Sequence, residues 1–111
     1  PFKEAYFLED AIKFRDAIKD IPLVYVGGLI SREKIDEVLD KGFEFVQMGR
    51  ALLNEPGFVN RMRAEEKAKC NCGHSNYCIG RMYTVDMACH QHLNEELPPC
   101  LIKEIKKLEN K

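Results

Sequence analysis

Two largely apolar runs that end in glycine constrain this chain most: Val24-Tyr25-Val26-Gly27-Gly28 and, one helical pattern later, Phe45-Val46-Gln47-Met48-Gly49-Arg50. A run such as Leu23 to Val26, without polar alternation, suits a strand buried on both faces, the habit of parallel sheets covered by helices. Glycine at the carboxyl end of such a strand lets backbone N–H groups approach a ligand. Two such loops on adjacent parallel strands form one anion cradle. Arg50, directly after the second glycine, adds the matching positive charge.

The segments around these runs read as helices. Phe7, Leu8, Ala11, Ile12, Phe14, Ala17 and Ile18 recur with a period near 3.6, which predicts an amphipathic helix over 7–19 that Ile21-Pro22 ends. Ser31 fits the N-cap of a second helix with Ile35, Val38 and Leu39 on its apolar face, and Gly42 fits its stop. After the second run, Ala51-Leu52-Leu53 predicts a helical turn. Asn54-Glu55-Pro56 opens a further helix through Phe58, Val59 and Met62, since proline is tolerated in a first turn. The order helix, strand, helix, strand, helix defines an α/β chain with parallel strands joined by a crossover. Two parallel strands alone expose unpaired edges, so partner strands from another segment, or self-association through those edges, are expected.

Composition narrows the function classes. Seventeen basic residues are offset by 18 acidic ones and scattered over helical faces, so no basic stripe for nucleic acid emerges. No apolar stretch approaches the roughly 18 residues that span a bilayer, and no signal peptide opens the chain. Expectations are therefore no nucleic-acid partner, no membrane partner, and a cytoplasmic location. Five cysteines, an odd number, cluster late among histidines, a pattern of reduced thiols or metal ligands more than of a secreted disulfide framework. The first residue is Pro1 and helical patterning begins almost at once, so the chain reads as the cut end of something longer.

The segments Glu4-Ala5-Tyr6-Phe7, Ile21 to Gly28, Gly42 to Leu53 and Glu55-Pro56 resemble, in order and spacing, the carboxyl-terminal part of Old Yellow Enzyme-like NADH:flavin oxidoreductases, the group that includes 2,4-dienoyl-CoA reductases. The likeness extends over roughly residues 1–89. It implies the last two β/α units of a TIM (β/α)8 barrel, with 1–66 as the FMN-binding barrel portion; beyond that the residues themselves read as a Cys/His-rich extension over 67–96 and, after the Leu97-Pro98-Pro99 break, a C-terminal helix over 97–111 using Leu101, Ile102, Ile105 and Leu108. Carried over by position, Gly27, Gly28 and Gly49 offer backbone N–H groups to the FMN phosphate and Arg50 a charge-assisted contact. The likeness also implies that the residues holding the flavin ring, the substrate carbonyl and the proton donor lie in earlier strands without counterparts here. No residue of this chain is then catalytic, and Tyr6, Tyr25, Tyr77 and Tyr83 take no proton-donor role.

In the same family, dienoyl-CoA reductases carry [4Fe-4S] cysteines where this chain has Cys70-Asn71-Cys72-Gly73-His74-Ser75-Asn76-Tyr77-Cys78 and Cys89-His90-Gln91-His92. Cys72, Cys78 and Cys89 are the equivalents, but Ser75 stands where a cysteine is expected, and a hydroxyl is a far poorer iron or zinc ligand than a thiolate. Three outcomes stay open: no metal, an iron–sulfur cluster with Cys70 as fourth ligand, or zinc completed by His74, His90 or His92. Cys100, beyond Pro98-Pro99, reads as a packing residue.

The function implied by the resemblance is the C-terminal fragment of an FMN-dependent oxidoreductase of ene-reductase type, which binds FMN and NAD(P)H through the complete barrel and passes hydride to an electron-poor alkene. The fragment alone is expected to show little or no catalysis. Two other readings compete: a noncatalytic, metal-stapled α/β assembly module, and a piece of another barrel that binds phosphorylated sugars. An in-frame upstream extension of about two hundred residues would complete a barrel of typical length.

Overall fold

The computed structural model describes residues 2–83 and 85–92, together with Lys103, Lys106 and Lys107. The predicted C-terminal helix residues Leu101, Ile102, Ile105 and Leu108, and Cys100, lie outside the described residues. The elements run α1 (Leu8–Ala17), β1 (Val24–Val26), α2 (Arg32–Asp40), β2 (Phe45–Gln47), α3 (Arg50–Asn54), α4 (Phe58–Ala64) and α5 (Tyr77–Arg81), with a 3-10 turn at His90–His92. Strands β1 and β2 pair in parallel, Val24 beside Phe45, Tyr25 beside Val46 and Val26 beside Gln47. Both strands are shorter than the apolar runs that predict them: β1 lacks Leu23 at its start, and β2 lacks Phe43 and Glu44 at its start and Met48 at its end.

Ser31 caps α2 as its sequence position predicts, its hydroxyl accepting from Lys34 N at 3.2 Å. Glu4 reinforces this end: its carboxylate accepts from the Ile30 and Ser31 amides at 2.9 and 2.7 Å and so ties the N-terminal segment to the loop after β1. One core cluster gathers Ala5, Tyr25, Leu29, Ile35, Val38 and Phe43 between α1, α2 and the sheet. A second gathers Ile30, Ala51, Phe58, Ala68 and Cys70 beneath α3 and α4. Met48 and Met62 pack against both clusters and join them.

Three expectations need correction. The strands are not buried on both faces: Tyr25 is buried, but Val24, Val26 and Phe45 are 53%, 55% and 61% exposed, because α1 and α2 cover one side of the sheet only. On α1 the apolar stripe is narrower than the period predicts. Phe7 and Phe14 face solvent while Arg15 is buried, its guanidinium pairing with Glu44 at 2.9 Å and donating to the carbonyls of Gly42, Ile18 and Ile21. Pro56 does not sit in a first helical turn; α4 starts two residues later with Gly57 as its cap. After α4 the charged stretch 65–69 is tied back to the rest of the chain. Ala68 is buried, its carbonyl accepts from Arg32 N, Cys70 N donates to Ile30 O, and Ser31 bridges to Lys69, which folds the segment back onto the start of α2.

Among the described residues no helix is long and apolar enough to cross a membrane.

Candidate functional site

Parallel pairing puts the carboxyl ends of β1 and β2 on the same side, so the loops that follow them meet. After Val26 the chain turns through Gly27 at φ +145° and Gly28 at φ +68°, conformations that side chains rarely adopt. The packing there is equally demanding: a Cβ on Gly27 would stand 2.8 Å from the Phe7 ring, and one on Gly28 2.5 Å from the Tyr6 ring. Gly49 differs. Its φ of −110° suits any residue, and among the described residues, its chain neighbours aside, nothing stands within 4 Å of where its Cβ would lie. Its lack of a side chain keeps space open rather than relieving strain.

Gly27, Gly28, Gly49 and Arg50 all border one cavity of about 240 Å³, together with Tyr6 and His74. That volume is below the ~300–1,000 Å³ typical of sites that enclose a whole drug-sized ligand, so these residues suit one end of a larger ligand. Arg50 donates from Nη2 to the Tyr6 hydroxyl at 3.1 Å and from Nη1 to Asn76 Oδ1. Sequence reasoning missed Tyr6 and Asn76 as members of this site. Tyr6 lies in a stretch that carries the family likeness, but nothing local signals its approach to Arg50, 44 residues away.

The Cys/His-rich segment contributes His74 and Ile79 to the lining of this cavity. Cys72, Cys78 and Cys89 line a second cavity of about 20 Å³ that shares Arg50 and His74 with the first. That is room for about one water-sized species. Among the described residues no group of three or more Cys, His, Asp or Glu side chains is placed to hold a metal ion. Cys70 lies apart from this cavity in the second core cluster, its thiol 3.2 Å from Asn54 Oδ1 and 3.4 Å from Ala51 O. Buried Asn54 then links the segments: its amide donates to Cys89 Sγ at 3.3 Å and to Gln91 Oε1 at 2.9 Å, and its carbonyl accepts from His92 Nε2.

Electrostatics follow from this packing. Burial pushes the Cys70 and Cys72 thiols up from the usual cysteine range. Burial, then the nearby Arg50 charge, pushes His74 below the usual histidine range; its ring stacks on Phe2 with centroids 3.9 Å apart. Since the thiolate is the nucleophile, Cys70 should alkylate far more slowly than Cys78 in the native chain. Timed iodoacetamide labelling read by peptide mass spectrometry checks this; equal rates before and after denaturation would contradict the buried placement.

No protein-family model matches the chain, and no solved structure matches it. The chain is similar to the 4,4'-dithiodibutanoate disulfide reductase of Rhodococcus erythropolis, at 44% identity over 84 residues that take in 76% of this chain and 21% of that enzyme. It thus spans about a fifth of the length of the curated relative it matches, and its relationship is to a segment of a redox enzyme.

Proposed function

We propose that this chain is the C-terminal portion of an FMN-dependent NAD(P)H oxidoreductase and that its part in that enzyme is to hold the phosphate end of the flavin. The observation that carries the reading is the meeting of Gly27, Gly28, Gly49 and Arg50 on one cavity at the carboxyl ends of two parallel strands. Terminal strand loops of this kind are where (β/α)8 barrels gather phosphate. The donor set suits a dianion: open space beside Gly49, and a guanidinium whose bonds to phosphate are charge-assisted and geometrically specific. FMN, when bound, supplies hydride transfer. The chain's own residues bind and orient its phosphate.

The uncovered face of Val24, Val26 and Phe45 supports a longer protein in which further strands complete a barrel over it. The relative's name, a disulfide reductase, widens the acceptor class from electron-poor alkenes to disulfides.

Titration of the isotopically labelled chain with FMN and with riboflavin, followed by amide chemical shifts, tests the proposal. FMN should move the Gly27, Gly28, Gly49 and Arg50 amides progressively, and riboflavin, which lacks the phosphate, should leave them in place. Identical responses to the two ligands would refute it.

A further inference from the structure

We propose that Asn76 is a positioning residue that holds the Arg50 guanidinium in the cavity while leaving its charge for an anionic ligand, so that the Cys/His-rich segment completes the anion site rather than forming a separate module. This rests on the phosphate-binding reading above and adds a residue and a segment to it. Four observations support it.

First, Asn76 gives up its usual local role. It occupies the N-cap of α5, where asparagine ordinarily accepts from a backbone N–H two or three residues on, yet it makes no side-chain cap bond. Its Oδ1 accepts instead from Arg50 Nη1, 26 residues back in the chain.

Second, the backbone is shaped for this reach. Asn76 at φ +64° and His74 at φ +54° both take positive φ, a backbone region uncommon for non-glycine residues but one that asparagine and histidine enter more often than most. Two such positions fall within three residues, at the stretch whose Asn76 Oδ1 accepts from Arg50.

Third, both groups that grip Arg50 are neutral oxygens, from Asn76 and from Tyr6. Arg15, Arg32 and Arg61 each pair with a carboxylate, whereas among the described residues Arg50 has no ion pair. A guanidinium has five N–H donors in a fixed fork, so two neutral anchors fix its plane and leave further donors, and the whole charge, for phosphate oxygens.

Fourth, Arg50 and His74 border both cavities, so the wall between the strand tips and the cysteine segment is shared.

Three forms of the chain test this: the original, Asn76→Gly and Asn76→Asp. Glycine keeps the left-handed backbone and removes the anchor. Aspartate keeps the backbone and the anchor but sets a carboxylate against Arg50. If Asn76 serves to present a free charge, FMN affinity falls several-fold in Asn76→Gly and more than tenfold in Asn76→Asp, while the melting temperature of Asn76→Asp stays level or rises. If Asn76 only tethers the loop, Asn76→Asp binds FMN as well as the original chain does, and the inference is overturned. FMN and riboflavin responses that are indistinguishable in the original chain defeat the phosphate reading itself. An FMN-specific response in the original chain that Asn76→Asp retains defeats this inference alone.

Discussion

Arg50→Gln is expected to weaken FMN binding about 10- to 100-fold, the equivalent of roughly 1.4–2.8 kcal/mol and within the range for a hydrogen bond to a charged group. The substitution removes the one arginine that, among the described residues, lines the cavity shared by Gly27, Gly28 and Gly49, and with it the charge-assisted bonds proposed to separate FMN from riboflavin. Arg50→Lys should fall between the two. It restores charge but not the planar fork that both reaches Tyr6 and Asn76 and presents paired donors to phosphate oxygens. The measurement is the FMN titration of the Gly27 and Gly49 amides, with riboflavin as control. Because among the described residues Arg50 is held by two neutral side-chain oxygens and no carboxylate, its loss should leave the melting temperature almost unchanged. An Arg50→Gln chain that binds FMN as tightly as the original would remove the guanidinium from the site.

The sequence makes the frame of this site legible and hides what closes it. The strand tips can be read because their signals are local: apolar runs ending in glycine, a serine at the N-cap position, and an arginine directly after Gly49. Tyr6 and Asn76 cannot be read that way, because each meets Arg50 across long stretches of chain, and Asn76 even sits where a local rule assigns it a different partner. Arg15 fails for the opposite reason. It occupies a charged slot in a helical pattern, yet the carbonyls of Gly42, Ile18 and Ile21 and the carboxylate of Glu44 converge on it and make burial tolerable. The exposed strand faces come from the same kind of long-range fact. An apolar run reports that a strand can be covered on both sides, not that the covering elements belong to the same 111 residues. Cofactor chemistry in the cysteine segment is least legible of all, since spacing along the chain does not determine which thiols converge. Cys70 turns inward to Asn54 while Cys72, Cys78 and Cys89 line the shared wall.

The largest loss of stability should follow replacement of Arg15 by Met, which keeps most of the stem's packing and deletes the guanidinium. Arg15 joins α1 to the loop before β2 through Gly42 O and Glu44, and it closes the end of its own helix through Ile18 O and Ile21 O. Removing a donor that satisfies several part-buried acceptors costs about 2–4 kcal/mol. For a chain of this size that corresponds to a fall in melting temperature on the order of 10–20 °C, measurable by circular dichroism. Glu44 gives the same network a pH signature. The Leu23 amide, which donates to it at 2.7 Å, and then Arg15 hold its carboxyl below the usual carboxylate range. A depressed native value means that the unfolded state binds the proton more tightly. The stabilisation is therefore complete above the usual carboxylate range and is lost as pH falls through the native value. Glu44→Gln should lower stability at neutral pH and flatten the acid limb of the stability curve. Arg15→Met should shrink that limb without abolishing it, because the Leu23 amide remains. Parallel acid limbs in the original and Glu44→Gln chains would show that the carboxylate's bonds to Leu23 and Arg15 contribute nothing to folding.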